Sequence, residues 1–164
     1  MKEVINLKKI KDDYERAYKL VSITFEGKTD KEGKPYIGHL ERVSNSLENK
    51  KTKIAGLLHD ILEDIDYIDE TFLKELNFND EIIEMVKIVS RDKNKTYHDF
   101  ITDIIESNNI EAIKLKYADM CDNANPERLS KLEEKTKARL KAKYEIELPR
   151  LKNKIMYLEE KEEI

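Results

Sequence analysis

His59 and Asp60 stand side by side in the apolar run Ile54–Ile65, and Glu63 and Asp64 follow one turn later. In a helix, residues three and four apart share a face, so His59 lies over Glu63, and Asp60 lies over Glu63 and Asp64. Leu57, Leu58, Ile61, Leu62 and Ile65 fill the remaining positions. A helix this apolar is expected to be mostly buried. Charged groups are costly to bury unless they are paired or bind a metal. The pattern therefore predicts half of a metal site, with acid/base groups beside it.

A divalent ion needs further nitrogen or oxygen donors from distant segments. Only His39 and His98 remain as histidines. His39 follows Pro35 on a helix of its own and is the favoured ligand. His98 sits among Tyr97, Asp99 and Thr102 and is expected at the surface. Asp119 falls in the otherwise apolar stretch from Ile113 and is the fourth candidate, with pairing to Lys116 or Arg91 as its structural alternative. Two imidazoles and two carboxylates suit Mn²⁺ or Fe²⁺ better than a thiolate zinc site. With so few histidines, one ion is expected rather than a cluster. Such an ion would polarise a phosphoryl oxygen and make a bound water more acidic. Glu63 and Asp64 are within reach to take the water proton; the alternative is that they form a solvated helix end.

The elements that would position these residues are all helical. Leu7, Ile10, Tyr14, Ala17, Leu20 and Val21 predict a first helix ending near Phe25. A polar loop, Lys28–Pro35, leads into a second helix from Tyr36. The third is expected from about Thr52 to Ile65. Shorter helices follow over Thr71–Leu76, over Ile82–Val89 with Asp80 as cap, over Thr96–Ser107, and from Asn109 through Cys121. Cys121 reads as core filler. A long charged helix, Glu127–Leu148, is expected to be interrupted or bent at Pro149 and to resume to about Glu159. The predicted fold class is all-α, with one domain over 1–164, a core of about 4–148 and a C-terminal extension over 149–164.

Composition narrows the function classes. With 40% charged residues but 4 Gly and 3 Pro, the chain suits helices with solvated faces. Disorder is expected only at the extreme C-terminus, Glu159–Ile164. No apolar run is long enough for a membrane span, and the charged start lacks a signal-peptide core. A single cysteine rules out an internal disulfide and fits the cytoplasm. A net charge of −4 argues against bulk nucleic-acid binding, and a small-molecule partner is expected.

The order His39, His59-Asp60, Asp119 resembles the HD phosphohydrolases. Further blocks bring the resemblance to one branch. They are Asp30-Lys-x-Gly-x-Pro-Tyr-Ile-x-His39-x-x-Arg-Val43, Leu57-Leu-His-Asp-x-Leu-Glu-Asp64, Val89-Ser-Arg91 with Thr96-Tyr-x-x-Phe-Ile101, and Leu115-x-x-Ala-Asp-x-x-Asp-Asn123. Together they look like the small alarmone hydrolases, which resemble the hydrolase domain of RelA/SpoT-type enzymes. The resemblance spans roughly Leu20–Tyr144.

It implies a helical domain holding one Mn²⁺ through His39, His59, Asp60 and Asp119, with Glu63 and Asp64 as the catalytic pair. The implied substrate is a guanosine 3′-diphosphate alarmone, (p)ppGpp, losing pyrophosphate to water in a stringent-response setting. Lys31 and Asn123 match substrate-contacting positions, and the pocket would be closed by the helix carrying Arg139, Lys143 and Tyr144. Tyr144 could instead be core. Arg42 is a further candidate substrate contact, with an ion pair to Glu63 or Asp119 as its alternative. The chain departs from those enzymes at Asp30, where they usually carry a basic residue, and at Leu40, where they commonly have proline. Asp30 leaves other nucleotides open as substrates, such as the 2′-phosphate of NADPH or a modified alarmone. Nucleotide sensing without turnover is the remaining alternative.

Overall fold

A computed structural model describes residues 6–163. Among these, regular structure is helical, apart from one isolated bridge between Thr29 and Pro35. In chain order the helices are α1 (Asp13–Thr24), α2 (Ile37–Asn45), α3 (Lys50–Leu58), α4 (Ile61–Asp64) and α5 (Glu70–Glu75). They continue as α6 (Asp80–Ile88), α7 (Tyr97–Glu106), α8 (Ile110–Asn123), α9 (Pro126–Leu129) and α10 (Glu134–Glu162). No helix among the described residues is long and apolar enough to cross a membrane.

Side-chain caps fix most of the starts. Asp12, Asn49, Asp69, Asn79, Thr96, Asn109 and Asn125 each accept a backbone N–H of the first turn that has no partner inside the helix. Two starts differ from expectation for this reason. Asn6 and Leu7 are helical, but the chain breaks over 8–12, so the helix expected to run on from Leu7 is interrupted and α1 starts afresh at Asp13. Asn79, not Asp80, caps α6.

Two larger departures bear on function. The predicted third helix is broken between Leu58 and Ile61, so His59 and Asp60 form its corner. Asp60 has φ −99° and ψ −1°, a sparsely populated region. The long charged helix breaks over 130–133, not at Pro149, and α10 then runs unbroken from Glu134 to Glu162. Proline costs a helix one internal hydrogen bond, but here flanking contacts hold the axis: Leu151 is fully buried, and Glu147 is anchored by His98 and Arg150. The helix also extends past Glu159, where disorder was expected; Ile164 lies outside the described residues.

The core has two parts. One gathers α1, α2, α3 and α6 around Leu20, Leu40, Leu57, Leu58 and Val86. The other joins α7, α8 and α10 through Phe100, Ile104, Ile113, Leu140 and Leu151. α8 contributes to both, with Leu115 in the first and Met120 in the second. α2 and α3 approach closely at Gly56, where an added Cβ would lie 3.0 Å from the Ser44 Cα. A side chain there would require the Ser44 backbone to move aside.

Candidate metal centre

Four side chains converge where α2, the α3–α4 corner and α8 meet. They are His39, His59, Asp60 and Asp119, and their ligand atoms lie within 4.8 Å of one another. His39 Nε2 is 2.9 Å from Asp119 Oδ1, and His59 Nε2 is 3.1 Å from both Asp119 Oδ1 and Asp60 Oδ2. These are the four residues that sequence spacing nominated as ligands. His98 is apart from them, exposed and paired with Glu147 at 2.6 Å.

The outer face of each imidazole is occupied. His59 Nδ1 donates to the Gly56 carbonyl at 2.6 Å, and His39 Nδ1 donates to Asp122 Oδ2 at 2.6 Å. Both rings therefore keep Nε2 inward with its lone pair on the cluster, the arrangement that prepares histidine for a metal. Inside, two nitrogen acceptors face carboxylate acceptors at hydrogen-bond distance. Such a cluster requires either extra protons or a cation. Ligands bound at right angles about 2.1 Å from one ion stand about 3 Å apart, which matches these separations. The donor set fits a divalent metal.

The electrostatics agree. Burial would lower the pKa of both histidines, but carboxylates outweigh it. Asp119 and Asp122 raise that of His39; Asp60 and Asp119 raise that of His59 well above the usual range. Burial likewise opposes ionisation of Asp119, yet Lys116 and His59 hold it well below the ordinary carboxylate range. Lys116 Nζ is 2.8 Å from Asp119 Oδ2, and Asn123 Nδ2 donates to Oδ1 at 3.2 Å. So Asp119 does pair with Lys116, on the oxygen that faces away from the histidines.

Around the cluster the structure adds residues that the sequence reading left out. Tyr36 donates its hydroxyl to Asp60 Oδ2 at 2.6 Å. Asp122 receives His39, Arg42 (2.8 Å) and Arg128 (2.6 Å). Burial works against its charge, but His39 and Arg42 hold its carboxyl down to about 2. Arg42 thus pairs with neither Glu63 nor Asp119, because it stands over Asp122, one turn beyond Asp119 on α8. A signal did exist: Arg42 lies three residues after His39, and Asp122 three after Asp119. Arg128 also grips Asp30 (3.2 Å) and Glu32 (2.7 Å), tying the loop before α2 to α9. Asp30 itself closes that loop by accepting from the Glu32 and Lys34 amides at 2.9 and 3.0 Å. Its charge is consumed internally.

A cavity of about 280 Å³ opens over the cluster. Glu63 lines it and accepts the Arg91 amide at 2.6 Å. Asp64 is exposed and lines an adjoining recess with Glu63, Arg91 and Lys93. Partial desolvation, with the charges of Asp60 and Glu63, pushes the Asp64 carboxyl up to about 6. Lys31, Asn123 and Tyr144 also line the cavity, although Tyr144 belongs to the second core as well. Arg139 is exposed and not part of the wall; Lys143, one turn on, takes that place. Cys121, expected in the core, is exposed on the opposite side of α8.

The HD domain family matches residues 34–143, which include all four converging side chains. The chain belongs to the HD-domain family. Its helical architecture and histidine–aspartate cluster are those of a metal-dependent phosphohydrolase domain. Among solved structures, the fold is similar to that of a metazoan ortholog of SpoT, described as hydrolysing ppGpp and playing a role in starvation responses. The two superpose with a TM-score of 0.63 at 18% identity, covering 93% of this chain and 97% of the other. At that identity the likeness concerns the fold.

Proposed function

We propose that this HD-domain protein is a Mn²⁺-dependent nucleotide phosphohydrolase that releases pyrophosphate from the 3′ position of guanosine tetra- or pentaphosphate. The observation that carries the reading is the convergence of two inward-facing imidazoles and two carboxylates beneath a cavity that His39, Asp60 and Asp119 line together with Lys31, Arg128 and Lys143. The fold likeness to a ppGpp-hydrolysing protein supports the choice of substrate. Asp30 does not weigh against an anionic ligand, since Arg128 and two amides satisfy its carboxylate.

His39, His59, Asp60 and Asp119 would hold the ion, which when bound withdraws charge from a phosphoryl oxygen and acidifies water. The chain's own groups account for the rest. Glu63, fixed by the Arg91 amide, offers a carboxylate at the cavity edge to accept a proton from the attacking water. Asp64, ionising near neutrality, is placed to relay that proton outward to solvent. As water oxygen bonds to phosphorus, the bond to the ribose 3′ oxygen breaks, and that oxygen takes up a proton from solvent in place of the one Asp64 releases. Lysines of the cavity wall offset the charge that develops on the phosphoryl group.

The test is a panel of nucleotides with Mn²⁺, read as released phosphate against released pyrophosphate. Guanosine 3′,5′-bis(diphosphate) is expected to give GDP and pyrophosphate, and to outcompete NADPH. Orthophosphate released from NADPH, with the guanosine compound untouched, would replace the substrate assignment. Tight binding with no product would replace catalysis by sensing.

A further inference from the structure

One guanidinium holds three carboxylates that come from two separate segments. Arg128, on α9, places Nε 2.7 Å from Glu32 Oε1, Nη2 3.2 Å from Asp30 Oδ2 and Nη1 2.6 Å from Asp122 Oδ2. Asp30 and Glu32 belong to the loop before α2, and Asp122 to α8. Their side chains are 4%, 3% and 10% exposed. Acids this shielded repel one another unless a cation stands among them. The planar fork of arginine can serve several at once.

Each side of this junction has its own duty. The loop is a closed unit: Thr29 pairs with Pro35, the Asp30 amide donates to the Lys34 carbonyl at 2.8 Å, and Gly33 turns with a φ of 82°. It forms one wall of the cavity whose floor holds His39, Asp60 and Asp119. Asp122 stands behind that floor. The Oδ2 that receives Arg128 is the atom that also accepts His39 Nδ1 at 2.6 Å. Arg42, the other cation on Asp122, places Nε 2.8 Å from Oδ1 with nearly half of its side chain exposed. Arg128 therefore joins a wall of the cavity to the support of one metal-ligand candidate.

We propose that Arg128 is a positioning residue that couples the seating of the loop to the metal affinity of the centre. With the loop seated, Glu32 and Asp30 pin the fork so that Nη1 meets Asp122, and Asp122 fixes the His39 ring. With the loop lifted, Asp122 keeps only the more exposed Arg42, and the ring gains freedom to turn. Linkage is reciprocal, so an ion on the floor favours the seated loop as much as the seated loop favours the ion. Any ligand that prefers the seated loop then binds cooperatively with the ion. This coupling rests on the cluster being a metal centre and requires no turnover.

The full chain is titrated with Mn²⁺ in a calorimeter. Through charge alone, Arg128→Gln removes a cation and would tighten a divalent ion, whereas Glu32→Gln removes an acid and would loosen it. Coupling makes both loosen it, Arg128→Gln by roughly tenfold and Glu32→Gln by roughly threefold. The double variant should match Arg128→Gln, because both act through one contact. Hydrogen exchange gives the second readout. In the wild type, Mn²⁺ should slow the Asp30 and Lys34 amides, both hydrogen-bonded within the loop, by several-fold. In Arg128→Gln and in Glu32→Gln that response should vanish. Exchange of the α3 amides checks that each variant is folded; if Arg128→Gln is not, the loop response of Glu32→Gln decides. Unchanged or tighter Mn²⁺ binding by a folded Arg128→Gln, additive losses in the double variant, or loop exchange that ignores Mn²⁺ in the wild type would each overturn the coupling. The phosphohydrolase reading is judged separately by turnover of nucleotides, so either can fail alone.

Discussion

The floor and the wall of the cavity are built on opposite principles. On the floor every donor is held from behind: Gly56 and Asp122 orient the histidines, and Lys116, Asn123 and Tyr36 orient the acids. On the wall, Lys31 and Lys143 hang from a loop and from a charged helix, surrounded by other cations. The floor is prepared for a small ion of fixed geometry, whereas the wall is prepared for diffuse negative charge. Rigidity is concentrated where coordination demands it.

Perturbing the floor should therefore be far costlier than perturbing the wall. Asp60→Ala is expected to abolish turnover, by more than about a thousandfold. It should also remove the rise in melting temperature that Mn²⁺ gives the wild type. That rise is about 5–10 °C at saturating metal for a chain of this size, measurable by scanning fluorimetry. Glu63→Gln tests whether the edge of the floor acts chemically. It should keep the Mn²⁺-dependent melting shift and lose about 10²–10⁴ in kcat; full activity would remove Glu63 from the mechanism. Asp122→Asn leaves the ligands in place but weakens the orientation of His39, and should lower metal affinity about 10–100-fold.

Acidity provides a milder probe of both regions. With chelator present, His39 and His59 have folded-state pKa values raised above the unfolded value of about 6.5. Their stabilisation is complete below about pH 6.5 and is lost as pH rises through the raised values. The melting temperature in chelator should fall on the alkaline side, and Mn²⁺ should remove the dependence. For turnover, kcat/KM should rise through about pH 6 as Asp64 ionises and fall through about pH 8 as Lys143 loses its proton. The acid limb should vanish in Asp64→Asn, and the alkaline limb in Lys143→Gln.

The same contrast explains what the sequence could reveal. The floor was legible because buried polar residues stand out against Leu57, Leu58, Ile61 and Leu115, so their types and spacing carry information. The all-α architecture followed from apolar periodicity. The wall was not legible. In the stretch Lys131–Lys143 many positions are basic, and only the packing of Leu140 and Tyr144 decides that Lys143 turns inward and Arg139 outward. The continuity of α10 through Pro149 likewise depends on tertiary anchors, Leu151 and Glu147, that no local rule contains. Asp122 and Arg128 were missed for a related reason. Their partners lie 83 and 98 residues away in the chain, at His39 and Asp30.

The corner between α3 and α4 restricts how such a centre can be rebuilt elsewhere. On an unbroken helix, consecutive side chains diverge by about 100° around the axis. Here His59 Nε2 and Asp60 Oδ2 are 3.1 Å apart because the backbone turns between them. Grafting the dipeptide onto a straight helix would copy the letters and lose the bite, so any transplanted version must carry the kink with it, along with the glycine carbonyl that steadies the imidazole.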